Sequence, residues 1–100
     1  MNVQITSRKF KAKESLKEEI TYQLKSLEKY SDDIIDANVI LSYTHSKDSI
    51  KSVEINLNIP GKTLSANESS DEYGKALSAT IQKLTKQLKT LKSKRISKAR

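Results

Sequence analysis

Apolar positions along the chain switch between a period of two and a period near 3.6, and each switch marks a new element. Val3 and Ile5 alternate with Gln4 and Thr6, which predicts a short first strand over 3–7. Residues 13–30 then space Leu16, Ile20, Leu24 and Leu27 at steps of four, four and three. At about 100° per residue these lie within roughly 80° of one another, the core-facing stripe of an amphipathic helix. Lys17, Glu18, Lys25, Glu28 and Lys29 fill the rest of that helix with mixed charge, and Ser31-Asp32-Asp33 is its expected stop.

Alternation returns over 35–45, where Ala37, Val39, Leu41 and Tyr43 share one side and Asn38, Ser42 and Thr44 the other. Ile40 interrupts the polar side, so part of that face is expected to be covered. After a polar turn at His45 to Ser49, Val53, Ile55, Leu57 and Ile59 interleave with Glu54, Asn56 and Asn58 as the clearest strand. Pro60-Gly61-Lys62 reads as a tight turn, since Pro presets φ and Gly tolerates positive φ. Leu64 and Ala66 against Ser65 and Asn67 form a last, weaker strand. From Asp71 the helical period resumes through Tyr73, Leu77, Ile81, Leu84, Leu88 and Leu91. Asp71 and Glu72 suit the start of that helix, with Ser69 or Ser70 as its N-cap. Ile96 stands without apolar companions, so the helix is expected to fray after Lys92.

The predicted order is β-α-β-β-β-α. Its simplest packing is an α+β two-layer sandwich, a four-stranded sheet with both helices on one face. The helical crossover predicts that the first strand lies parallel to its neighbour. A length of 100 residues allows one such domain, expected over 1–92, followed by a basic, flexible tail over 93–100. Hydrophobic residues at 35% and charged residues at 31% make a lean but foldable mixture.

Composition closes off several chemistries. There is no Cys, hence no disulfide framework, thiol nucleophile or zinc–thiolate site, and a lone His leaves no transition-metal cluster. No apolar run approaches the ~20 residues of a membrane span. The N-terminal Met1-Asn2-Val3-Gln4-Ile5 lacks the regions of a signal peptide, so a cytoplasmic protein is expected. His45 beside Ser46 and Asp48 has the residue types of a catalytic triad, but such triads assemble from separate elements, and an exposed turn histidine is expected. Asp32, Asp33 and Asp36 lack the spacing, Gly and terminal Glu of an EF-hand loop and read as a solvated helix stop. No phosphate-cradling or zinc-protease motif occurs. The expectation is a non-enzyme with no cofactor, no metal and no small-molecule substrate.

Charge is where the sequence becomes informative. Residues 1–72 hold 10 basic and 12 acidic residues, whereas 73–100 hold 9 basic residues and no acid. With Leu77 at 0°, Ile81, Leu84, Leu88 and Leu91 fall within about 40° of it, while Lys75, Lys83, Lys86 and Lys89 fall at about 120–240°. Like charges at i,i+3 and i,i+4 repel, and this helix carries no Glu after Glu72 to compensate. A solvated face normally mixes signs, so an unbroken lysine face favours a polyanion. Lysine outnumbers arginine seven to two, which suits phosphate contacts more than bidentate reading of base edges.

Among nucleic-acid modules, an RRM stacks bases on sheet aromatics, whereas this polar face offers Asn38, Ser42, Asn56, Asn58 and Asn67. A KH domain needs a GxxG loop, and the only glycines are Gly61 and Gly74. Residues 13–92 do match the α-β-β-β-α order of a double-stranded-RNA-binding domain. That module grips phosphates with lysines at the start of its last helix, where this chain has Asp71-Glu72. A stand-alone double-stranded-RNA binder is therefore the alternative reading. A basic helix docking on an acidic protein or membrane surface is a third; the absence of apolar residues opposite the core argues against membrane insertion.

With its extra N-terminal strand and lysine-faced last helix, the chain resembles a short-type ribosome hibernation-promoting factor, of the ribosome-associated inhibitor/sigma-54 modulation family, over residues 1 to about 95. The resemblance rests on Leu27-Glu28-Lys29-Tyr30 closing the first helix and on Val53 to Gly61 as the third strand and turn. It rests most specifically on Lys83-Leu84-Thr85-Lys86-Gln87-Leu88-Lys89, similar to the family's DKLxRQLxK pattern. Gln82 stands for the usual Asp, Lys86 for Arg and Thr90 for a common Lys, and Ser31, Tyr73 and Gly74 also depart, which suggests a divergent branch. The chain stopping at Arg100 implies the short type, without the added C-terminal domain of long members.

The resemblance implies a protein that binds the small ribosomal subunit and its 16S rRNA in the mRNA and tRNA channel, the A- and P-site region. It would thereby inhibit translation in stationary phase or starvation. Ribosome dimers, formed with a helper factor, are a further partner it allows, and a monomer is expected off the ribosome. The rRNA-binding residues it points to are Lys83, Lys86, Lys89 and Lys92, then Lys75, Lys25 and Lys29, with Arg8 weaker and Gln87 either an rRNA hydrogen-bonder or a structural surface residue.

Overall fold

The computed structural model describes the backbone of residues 1–44 and 50–98 and side chains as far as Leu91 within those limits. Six elements carry the fold, with a 3-10 turn after the first helix. They are β1 (Asn2–Ser7), α1 (Glu14–Lys25) continued by a 3-10 segment (Ser26–Lys29), β2 (Asp36–Thr44), β3 (Ile50–Ile59), β4 (Lys62–Ser70) and α2 (Tyr73–Lys98). The sheet order is β1-β2-β3-β4. β1 runs parallel to β2, and β2, β3 and β4 form an antiparallel meander. The α+β sandwich expected from the periodicity is the fold observed.

Register puts every buried strand residue on one face. Val3 pairs with Ala37 and Ile5 with Val39; Ala37, Val39 and Leu41 sit opposite Leu57, Ile55 and Val53; Ile55 and Leu57 sit opposite Ala66 and Leu64. Ile20 and Leu24 from α1, Leu27 from the 3-10 turn, and Ala76, Leu77, Ile81, Leu84 and Leu88 from α2 complete one core cluster. Both helices therefore cover the same side of the sheet. Among the described residues Thr80 is the one buried polar side chain, fully enclosed. Its hydroxyl donates to the Ala76 carbonyl at 2.7 Å, which satisfies it inside the helix.

The uncovered face is a set of cross-strand polar rows. Ser65 Oγ donates to Asn56 Oδ1 at 2.7 Å, Thr63 Oγ1 to Asn58 Oδ1 at 2.8 Å, and Asn58 Nδ2 to Asp36 Oδ1. Ile40 is half-buried on this face, between Thr6 and Glu54 in the register. β4 runs beyond the apolar segment at Leu64 and Ala66, with a Ser52–Ser69 hydroxyl pair near its far end. The Pro60-Gly61 turn joins Ile59 to Lys62 with Gly61 at φ 77°, the positive value that the third position of a type II turn requires.

Three boundaries differ from the sequence pattern. Ser69 and Ser70 do not cap α2, because both are claimed by β4: Ser69 shares a 2.8 Å hydroxyl bond with Ser52, and Ser70 bonds Asp71. Glu72 takes the capping position instead, its carbonyl accepting from Ala76 N at 3.1 Å. At its other end α2 stays helical through Lys98 rather than breaking after Lys92. Lysine and arginine are good helix formers, and cations there complement the negative end of the helix dipole. His45, Ser46 and Asp48 lie outside the described residues.

An aromatic trio anchors the start of α2. The Phe10 ring stacks on Tyr73 at 5.5 Å between centroids and meets Tyr43 edge-on at 5.5 Å. Tyr73 donates its hydroxyl to the Ser42 carbonyl at 3.0 Å. Burial, reinforced by the nearby Tyr43, pushes the Tyr73 phenol above its ordinary value. The loop after β1, the end of β2 and the first turn of α2 are thus packed together.

Candidate nucleic-acid interface

The outer surface of the helix layer is built from the residues that α1 and α2 do not commit to the core. The two helices lie side by side, with Gln23 Nε2 reaching Ser78 Oγ at 3.4 Å. Because Leu77, Thr80, Ile81, Leu84 and Leu88 are buried against the sheet, the lysines of α2 are forced outward. They do not, however, form one uniform row. They diverge, and each meets a different electrostatic environment.

Lys83 turns towards the edge strand β4, where its ammonium meets Glu68 Oε1 at 2.6 Å. Gln87 leans the same way and donates from Nε2 to the Ser65 carbonyl at 3.0 Å. That bond satisfies an edge-strand acceptor, so Gln87 ties α2 to β4. Lys75, at the start of α2, pairs with Asp71 at 3.3 Å and Glu72 at 3.6 Å. The Ser70 hydroxyl, then the Lys75 hydrogen bond and charge, hold the Asp71 carboxyl below the usual carboxylate value. Asp71 in turn raises the Lys75 ammonium above its ordinary value.

Lys89 turns the opposite way, towards α1, and places its Nζ 5.3 Å from the centroid of the Tyr30 ring. The ring face attracts the cation without neutralising it. Lys86, which lines a groove with Lys83 and Lys89, is exposed and makes no ion pair among the described residues. Lys25 at the end of α1, Lys29 at the end of the 3-10 turn, and Arg8 after β1 are likewise exposed and without an ion pair among the described residues. The Lys92 side chain lies outside the described residues.

The structure therefore sorts the expected site residues into two classes. Lys86, Lys89, Lys25 and Lys29 present uncompensated charge on the outer face of the two helices. Lys83 and Lys75 already hold carboxylates, and Arg8 sits apart at the end of β1. One further cation joins the surface that periodicity did not single out. Lys62, just after the Pro60-Gly61 turn, lines a groove of about 490 Å³ between β4 and α2 with Thr63, Lys83, Lys86, Gln87 and Thr90. Its strand has no helical spacing to align it with α2, so only the strand register reveals that proximity.

Two of the three acidic residues after the first helix have local partners. Ser31 donates to Asp33 Oδ1 at 2.9 Å, and Asp36 accepts from Asn58. Among the described residues there is no group of three or more potential metal ligands. Nor is any described helix long and apolar enough to cross a membrane.

The model of a family described as sigma 54 modulation protein/S30EA ribosomal protein matches residues 3–96. No curated protein matches the sequence. Among solved structures, a ribosomal subunit interface protein from Coxiella burnetii superposes with a TM-score of 0.83 at 27% identity, covering 93% of this chain and 99% of that one. The N-terminal domain of Thermus thermophilus Protein Y superposes with a TM-score of 0.82 at 22% identity, covering 91% of this chain and 99% of its own. Both share the mixed four-stranded sheet under two helices.

Proposed function

The chain belongs to the sigma 54 modulation protein/S30EA ribosomal protein family, and from that premise we propose that it binds the small ribosomal subunit in the mRNA and tRNA channel and keeps idle ribosomes from translating. The observation that carries this reading is the outer face of the helix pair, where Lys86, Lys89, Lys25 and Lys29 stand without carboxylate partners. Cations left uncompensated on adjacent helices repel one another, and a polyanion relieves that repulsion. rRNA phosphates supply it. The likeness to a ribosomal subunit interface protein supports the ribosome as the source of that polyanion.

Inhibition in this reading is steric. A rigid domain held by phosphate contacts occupies space that mRNA and tRNA need, and no bond is made or broken. Residues 1–92 form the binding unit in the cytoplasm, as a monomer off the ribosome, and the basic segment 93–100 adds further charge. Contact through about five lysines makes affinity steeply salt-dependent, with a slope of roughly −0.7 to −0.9 per phosphate on a log–log plot.

Co-sedimentation with bacterial small subunits across a salt series tests the proposal. Replacing Lys83, Lys86 and Lys89 together with Glu is expected to abolish sedimentation with subunits while circular dichroism stays native. Continued binding by that variant shows that this face is not the interface. Equal affinity for plain duplex RNA and for subunits favours instead a general double-stranded-RNA module, for which the order of elements from α1 to α2 is suited.

A further inference from the structure

Four of the five aromatic side chains have partners. Phe10, Tyr43 and Tyr73 pack together, and Tyr30 lies under Lys89. Tyr22 does not. It projects from α1 with 76% of its surface exposed, the most exposed large hydrophobic among the described residues. It has no ring, cation or hydrogen-bond partner among them. An unpartnered aromatic at a helix surface contributes nothing to the core and has lower helix propensity than the Lys and Glu around it.

Its position gives that exposure a direction. Tyr22 lies about 100° round α1 from Gln23, the residue that reaches across to Ser78 of α2, and nearly opposite the buried Ile20 and Leu24, so it stands on the outer face of the helix. One turn further along its own face stands Lys25, and the 3-10 turn ends on Lys29, both exposed. On the other side, one turn back, are the exposed carboxylates of Glu18 and Glu19, the latter accepting from Gln23 Nε2 at 2.9 Å. A phosphodiester strand is thus attracted on the Lys25 side of the ring and repelled on the Glu18 side. The other two exposed apolar side chains lack this arrangement. Ile35 lies between the acidic residues Asp33 and Asp36, and Ile50 is an aliphatic residue that opens β3.

We infer that Tyr22 is a stacking platform for an unpaired RNA base, with Lys25 and Lys29 holding the phosphates that flank it. The inference deepens the proposed function and rests on it, because rRNA is the source of the base. A tyrosine ring offers a flat face to any base, so the contact selects unstacked nucleotides without reading their identity. It also adds a short-range, non-ionic component to a surface otherwise dominated by screened lysines. That component places the protein at one point of the rRNA, whereas lysines alone would tolerate sliding along phosphates.

The test is a binding titration of the full chain with bacterial small subunits, using Tyr22→Ala, Tyr22→Leu, Tyr22→Phe and Tyr22→Trp across a salt series. Stacking on one base corresponds to a loss of about 5- to 150-fold on removal of the ring. Ala and Leu are expected to lose affinity within that range, and Phe and Trp to keep it. The log–log salt slope is expected to stay at the wild-type value in all four, since a stacked ring releases no counterions. Alanine is a strong helix former at this exposed site, so folding is retained. Wild-type affinity in Tyr22→Ala overturns the inference while leaving the lysine interface standing. Full affinity in Tyr22→Leu also overturns it, because any bulky apolar group would then suffice, as against a ribosomal protein. Failure of the unmodified chain to bind subunits removes both this inference and the reading beneath it.

Discussion

Glu68→Gln is expected to weaken the fold and strengthen ribosome binding, a pair of opposite effects that follows from one contact. Lys83 and Glu68 meet at 2.6 Å with the two side chains 56% and 31% exposed. Exposed pairs of this kind contribute about 0.2–1 kcal/mol to stability. Because Glu68 is the less exposed partner, the upper part of that range is expected. Loss of the pair then lowers the melting temperature by up to roughly 4–8 °C in a 100-residue domain. The same free energy is what a phosphate must overcome to recruit Lys83 from Glu68. Removing it tightens binding by up to about fivefold, since 1.4 kcal/mol is a factor of ten. Lys83 then counts as a full phosphate contact, so the log–log salt slope steepens by about 0.7–0.9. Thermal unfolding and anisotropy titrations with small subunits at several salt concentrations measure the three effects. Adding Lys83→Gln closes a double-mutant cycle, in which Glu68→Gln should lose most of its benefit once Lys83 is gone. Weaker binding, or an unchanged slope, in Glu68→Gln refutes the reasoning and assigns Lys83 to holding α2 against β4 instead.

Two further predictions concern the scaffold. Leu84→Ala removes a fully buried side chain from the face of α2 against the sheet and is expected to cost about 2–5 kcal/mol, whereas Leu91→Ala, at a partly buried position, costs clearly less; urea unfolding of the two variants measures the contrast, and equal losses contradict it. Asp71 is held below the ordinary carboxylate value of 3.8, chiefly by the Ser70 hydroxyl. A carboxyl depressed in the folded state contributes stability above its unfolded value and loses it as the pH falls through the folded one. Acid titration should therefore show a steeper loss of helix below about pH 4 in the native chain than in Asp71→Asn, and coincident acid limbs contradict the assignment.

Most of the fold was legible because each element's apolar period survives contact with the others. Val53 to Ile59 alternates without interruption, and all four apolar residues are buried. Leu77 to Leu88 repeats at helical spacing, and its stripe is buried throughout. What periodicity misjudged was decided by polar pairing between elements. Ser69 reads locally as a helix cap, yet the facing Ser52 of β3 recruits it into the sheet. Phe10 belongs to no periodic segment, so nothing in its neighbours indicates that it stacks on Tyr73, far along the chain.

The candidate surface was legible as a charge and not as an arrangement. A helical wheel places Lys75, Lys83, Lys86 and Lys89 together opposite the core, and it finds no Glu on the same helix to compensate them. The structure supplies compensation from outside the helix. Glu68 lies on β4, and a helical wheel has no angle for a residue on a neighbouring strand. Long lysine side chains can swing towards whatever flanks the helix, so the neighbouring elements decide which charges stay uncompensated. Here β4 takes Lys83, the residues before α2 take Lys75, and the Tyr30 ring draws Lys89 towards α1 without neutralising it. The α2 cations left without a carboxylate thus lie on both flanks of the helix, Lys86 with Lys62 along the β4 groove and Lys89 beside Tyr30. The uncompensated charge is therefore spread over both helices and the β4 flank, where a helical wheel shows a single lysine-faced rod.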